Sequence, residues 1–207
     1  MVFTNIHLDI FQEMINIGVG RAANLLNSLS GKHVSLSVPS IKLLDSKNLI
    51  NELEGLGRVE NLSCVLLNYS GEISGSSCLI FSTEQASKLV LAFTGNQDDD
   101  MDFDEIQAET LSEIGNIVLN SLVGSIANNF GILLNYSIPL YVTGNLNQVL
   151  SSELSSDQNS LILYSRTHFK IESLDIEGDF LFFCSLDSVP FIIRSLDRII
   201  EKGGFID

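Results

Sequence analysis

Two long stretches of the chain repeat apolar residues at helical spacing. Ile6, Ile10, Met14 and Ile17 form a stripe that predicts a helix over roughly 6–29, and Ile106, Ile114 and Ile117 predict a second over roughly 105–130. Gly31 and Gly131 follow and predict the helix ends, since glycine enters the left-handed backbone region without a Cβ penalty. Elsewhere the pattern shortens to strand-like runs. Leu62–Tyr69 and Glu72–Phe81 read as a hairpin turning at Ser70-Gly71, and Leu161–His168 with Leu174–Cys184 read as another. A strand is predicted through each of Pro39 and Pro139, with the proline at an edge or strand end because it cannot donate to the ladder. Short helices are predicted around Asp45–Glu54 and Asn145–Leu154, and closing helices at Thr83–Phe93 and Ser188–Lys202. Thr94-Gly95-Asn96-Gln97 with Asp98-Asp99-Asp100 reads as a linker.

The order of elements occurs twice, as α-β-α-β-β-α in 1–97 and again in 101–207, and the repetition reaches single residues. Glu13, Asn16, Ile17, Ser37 and Pro39 correspond to Glu113, Asn116, Ile117, Ser137 and Pro139, each 100 positions further on. Hairpins combined with helices predict an α+β fold, with the helices gathered on one side. The expected arrangement is one domain over 1–207. It pools all strands in a single antiparallel sheet about a pseudo-twofold axis, with the two long helices side by side on one face.

Composition removes whole classes of function. Apolar residues make up 45% of the 207 and charged residues 18%, enough to build a core. No apolar run nears the roughly 20 residues of a membrane span. Met1-Val2-Phe3-Thr4-Asn5 shows no basic segment leading into an apolar one, so no signal peptide is read and a cytoplasmic protein is expected. The formal net charge of −15 disfavours nucleic acids and anionic membranes as partners. Cys64, Cys78 and Cys184 lie far apart in apolar runs and read as buried thiols, and His7, His33 and His168 show no metal-ligand spacing.

The candidate chemistry sits on the long helices. Residues four and seven apart share a helix face, so Asp9, Glu13 and Asn16 project together, as do Glu109, Glu113 and Asn116. A carboxylate can pair with a cation on a partner, while a neighbouring amide donates to and accepts from a water. That pairing suits phosphoryl hydrolysis, in which positioning the attacking water is the main task. A purely solvated polar face fits the spacing as well. The chain has no glycine-rich phosphate loop, nucleophile elbow or Cys–His pair; Gly18-Val19-Gly20 lies inside a helix pattern and reads as a helix-packing feature. A two-carboxylate glycosidase built on Glu13 and Glu113 would need an aromatic sugar cleft, for which no Trp and four Tyr offer little.

At these residues the chain resembles the CheC/CheX/FliY phosphatase family of chemotaxis. The family signature is Asp or Ser, then Glu, Asn and Pro at fixed spacing. Asp9, Glu13, Asn16 and Pro39 match it fully; Glu113, Asn116 and Pro139 match it with Glu109 in place of Asp or Ser. The segment Asn16-Ile17-Gly18-Val19-Gly20-Arg21-Ala22-Ala23 is also similar to the family's first helix. The resemblance implies hydrolysis of the aspartyl phosphate of a CheY-like response regulator. No cofactor would reside in this chain, because the receiver carries its own Mg²⁺. Glu13 and Glu113 would pair with the receiver's active-site lysine, Asn16 and Asn116 would orient the in-line water, and Asp9 would support the first pair. The departure at Glu109 makes Asn16→Ala the expected more damaging change. The resemblance further implies a partner in the receptor deamidase CheD, for which no residue is assigned. The rival from another class is a binding module for a receiver or for CheD with negligible turnover.

Overall fold

Strands from the two halves of the chain are interleaved in one antiparallel sheet. The computed structural model describes residues 3–57, 60–95, 103–150 and 160–203. In chain order the elements are α1 (Asn5–Ser30), β1 (Val34–Ser37), β2 (Lys42–Leu44), α2 (Ser46–Gly55), β3 (Leu62–Gly71), β4 (Gly75–Ser82) and α3 (Thr83–Thr94). The second half gives α4 (Phe103–Phe130), β5 (Leu134–Tyr136), β6 (Leu140–Gly144), α5 (Leu146–Val149), β7 (Ser160–Ile171), β8 (Leu174–Ser185), a short 3-10 turn at Leu186–Ser188, and α6 (Val189–Glu201).

The sheet runs β1-β7-β8-β4-β3-β5, with β2 also on β7 and β6 also on β3. The proline strands of each half therefore pair with the hairpin of the other half. Val34 faces Ile171 where Leu134 faces Gly71, and Lys42 faces Tyr164 where Val142 faces Cys64. Every one of these equivalents lies 100 positions from its counterpart, so the sequence offset is carried into the backbone register. The two halves meet along β4 and β8.

Three local expectations are corrected. The single strand through each proline is two strands, because a residue without an N–H cannot continue the ladder; Pro39 falls between β1 and β2, and Pro139 between β5 and β6. Each half is therefore α-β-β-α-β-β-α. Ser70-Gly71 does not turn but extends β3 to pair with Asn135 and Leu134, and the chain reverses over 72–74. The helix expected over Asn145–Leu154 is a single turn, Leu146–Val149; its predicted end, like Asn96–Asp100 of the linker, lies outside the described residues.

Alternation along the strands divides the apolar residues between two faces. Val65, Leu67, Leu79, Phe81, Leu163, Phe180 and Phe182 join α1, α3, α4 and α6 in the main core. Cys64, Leu66, Cys78, Ile80, Ile162, Leu181 and Phe183 meet Leu49 and Leu53 of α2 and Leu146 and Val149 of α5 on the opposite face. The helices are thus not all on one side: the two long ones share a face, and the short α2 and α5 cover the other. All three cysteines are free and buried, and burial pushes the Cys184 thiol up to about 11.

Caps fix the start and end of the first long helix. Thr4 Oγ1 accepts from the His7 backbone N–H, His7 Nδ1 accepts from the Thr4 N–H (both 3.3 Å), and His7 Nε2 then donates to Asp197 of α6 at 3.0 Å. Gly31 and Gly131 close α1 and α4 at φ 65° and 70°. The two helices cross at Gly18, where a Cβ would stand 2.7 Å from the Ser121 carbonyl oxygen and 2.8 Å from the Leu122 Cα. Ser125 Oγ donates to the Met14 carbonyl nearby, at 2.7 Å. Gly20, by contrast, faces open space. Gly18→Ala should lower unfolding free energy by about 1–3 kcal/mol through overpacking, whereas Gly20→Ala should raise it by about 0.5–1 kcal/mol. Urea unfolding midpoints that move in opposite directions are the expected result; parallel shifts would show that Gly18 does not set the crossing.

Candidate functional site

Burying one stripe of each long helix turns the motif residues outward. In α1 the buried positions are His7, Ile10, Phe11, Met14, Ile15, Gly18, Val19, Ala22 and Leu26. The core stripe thus leaves Ile6 and Ile17 of the expected stripe exposed, because 3.6 residues per turn carry it from Met14 to Gly18 rather than to Ile17. Asp9, Glu13 and Asn16 are exposed. On α4, Glu109 and Glu113 are exposed and Asn116 is half-buried. Pro39 is exposed and Pro139 half-buried.

Each motif amide is held by a neighbour on its own helix. Gln12 Nε2 donates to Asn16 Oδ1 at 3.3 Å and to the carbonyl of Val38, the residue before Pro39, at 2.5 Å. Asn120 Nδ2 donates to Asn116 Oδ1 at 2.5 Å. An amide oxygen has two lone pairs, so each asparagine keeps one acceptor site and its NH₂ for a ligand, with its rotamer restrained. The first proline segment is thereby tied to its motif helix through Gln12. The second shares an open groove of about 480 Å³ with Glu109, Glu113 and Asn116. Sequence reasoning missed Gln12 and Asn120; their position four residues from each asparagine, on the same helix face, was the available signal.

The two sites are separate. The pairing of Gly18 with Ser121 and of Met14 with Ser125 makes α1 and α4 antiparallel. Glu13 then lies level with residue 126, which places it about 20 Å along the helix axis from Glu113 at 1.5 Å per residue. A glycosidase pair needs its carboxyls within about 5–10 Å of each other, so these glutamates cannot form one. The ion pairs His7–Asp197, Lys42–Glu52 and Lys88–Glu84 leave the motif carboxylates out. Among the described residues no cluster could hold a metal, and no helix is long and apolar enough to cross a membrane.

A duplicated helix pair on one sheet thus shows a carboxylate and an amide at each end. Known proteins share parts of this sequence and this fold. Residues 63–163, which run from β3 to β7 and contain the whole second site, match the family described as chemotaxis phosphatase CheX. A CheY-P phosphatase CheC of Bacillus subtilis (strain 168) is 28% identical over 135 residues. That match spans 64% of this chain and 64% of the relative, less than two thirds of its length. Thermotoga maritima FliY has the same fold, with a TM-score of 0.74 and 21% identity over 96% of this chain and 99% of that one. A chain of the CheX–CheY–BeF₃–Mg²⁺ complex from Borrelia burgdorferi aligns with a TM-score of 0.52 and 18% identity over 83% of this chain and 98% of the other. The chain is thus similar to chemotaxis phosphatases of the CheC, CheX and FliY type, in sequence over part of its length and in fold over nearly all of it.

Proposed function

We propose that this chain hydrolyses the aspartyl phosphate of a CheY-like response regulator in the cytoplasm, using Glu13 with Asn16 and Glu113 with Asn116. The observation that carries this reading is that the Glu-x-x-Asn pair occurs twice outside the buried stripe of a long helix, with both glutamates and Asn16 exposed and Asn116 half-buried. Each copy offers a partner a carboxylate for a cation and a pre-oriented amide for a water.

The chemistry asked of the chain is small. An aspartyl phosphate in a receiver is attacked in line by water, with the receiver's own Mg²⁺ supplying charge neutralisation. The glutamate pairs with the receiver lysine and draws it from the phosphate. The asparagine NH₂ donates to the attacking water, whose protons reach the free Oδ1 lone pair, so the oxygen lone pair points at phosphorus. Held amides need no reorganisation when the partner docks. Asp9 and Glu109 add negative charge one turn before each glutamate, and Pro39 and Pro139 place the neighbouring segments against the helices.

The test is the lifetime of phosphate on the organism's own CheY-type receivers in the presence of this chain at one-twentieth of their concentration. Several receivers turned over per chain is the expected outcome. A lifetime that changes only at stoichiometric amounts would replace the enzyme by a binding module.

A further inference from the structure

The two copies of the motif are not equivalent in the space beside them. Leu8 and Gln12 of the first copy become Ala108 and Ser112 in the second. Gln12 spans the gap between α1 and the Pro39 segment by reaching the Val38 carbonyl. Ser112 is too short for this and turns back to the Ala108 carbonyl at 2.6 Å. The gap left by these two smaller residues is the groove of about 480 Å³ beside Glu109, Glu113 and Asn116.

The rim of the groove differs as well. Val38 is 3% exposed and belongs to the main core, whereas its counterpart Ile138 is 90% exposed and lines the groove with Pro139. The backbone presenting Ile138 is pinned. Ser137 N–H donates to the Asn68 carbonyl at 2.9 Å, Asn68 N–H donates to Ser137 Oγ at 3.0 Å, and Ser137 Oγ donates to the Ile138 carbonyl at 3.1 Å. An exposed isoleucine on a fixed backbone, next to two carboxylates, can be covered by a partner at little ordering cost.

We infer that this groove is the principal docking surface for the receiver, with Ile138 as an affinity-determining residue. It fits a receiver segment in which a cation is flanked by an apolar side chain: the cation meets Glu109 and Glu113, and the apolar chain covers Ile138 and Pro139. The inference rests on the phosphatase reading above and reverses the ranking drawn from Asp9 and Glu109, since the second copy then takes most of the receiver at sub-saturating concentrations.

Two backgrounds separate the copies: Asn16→Ala leaves the second copy working, and Asn116→Ala the first. KM and kcat are measured with a CheY-type receiver phosphorylated by acetyl phosphate, and Kd with the same receiver loaded with beryllofluoride. The second copy is expected to show the lower KM. Adding Ile138→Ser, or Ser112→Gln to refill the groove, should raise its KM and Kd about tenfold with kcat kept, the scale of uncovering one large aliphatic side chain. Equal KM in the two backgrounds, or values that neither substitution moves, would overturn the docking surface while leaving the phosphatase standing. A wild type with no turnover would instead overturn the phosphatase; the docking surface would then stand if Ile138→Ser weakened beryllofluoride-receiver binding, and fall if it did not. Should Ile138→Ser dissociate a self-associated form of the chain without moving KM, the patch would belong to a second copy and the proposal would fail.

Discussion

The double variant Asn16→Ala/Asn116→Ala should dephosphorylate its receiver at least about 10²-fold more slowly than the wild type, with receiver affinity nearly kept. The magnitude is that of losing one positioned catalytic group at each site. The direction follows from when the interaction forms. A water aligned for in-line attack is held most tightly in the transition state, and an interaction made there lowers kcat when lost, not KM. The asparagines are suited to this because Gln12 and Asn120 already restrain their amide oxygens, at 3.3 and 2.5 Å. Alanine at 16 or 116 removes the amide and leaves the buried stripes of α1 and α4 untouched, so the fold is expected to persist. Single-turnover decay of receiver phosphate at saturating chain measures the effect directly. Near-wild-type decay in the double variant would mean that the amides orient no water and that another group does the chemistry.

Much of this architecture could be read from residue spacing, and what could not has physical reasons. The long helices and their glycine ends follow from local periodicity, and α1 and α4 lie within two residues of the expected bounds. The offset of 100 positions between Glu13 and Glu113 reappears in the strand register, as between Lys42–Tyr164 and Val142–Cys64. The pairing of β1 and β2 with β7, across the duplication, is a long-range choice that no local pattern encodes; neighbouring strands are the default expectation. Ile6 and Ile17 looked like core residues because a stripe of spacing three and four has two possible margins, and only the crossing at Gly18 selects one. The difference between Gln12 and Ser112 was visible in the aligned repeats. Its meaning depends on where the Val38 carbonyl lies, and that is set by the break at Pro39.

Glu13→Ala/Glu113→Ala should weaken receiver binding by about tenfold or more and lower turnover as well, in contrast to the asparagine pair. Removing one partner of a charge pair that becomes desolvated in a complex costs about 2–5 kcal/mol, much of it from the cation left behind. Both glutamates are open to such a pair, since among the described residues the ion pairs His7–Asp197, Lys42–Glu52 and Lys88–Glu84 lie elsewhere. Their exposure before docking also means that the attraction is screened. The Debye length falls from about 10 Å at 0.1 M salt to about 3 Å at 1 M, so wild-type affinity should decline across that range. The acidic background, −15 overall, steepens the decline for a basic receiver face. In the Glu double variant the slope should flatten, because the closest charge pair at each site is gone and only the diffuse field remains. Titrations of beryllofluoride-loaded receiver at several salt concentrations read both quantities. If the Glu double variant bound as tightly as wild type with the same salt slope, the carboxylates would not be meeting a cation across the interface, and turnover would have to depend on the amides alone.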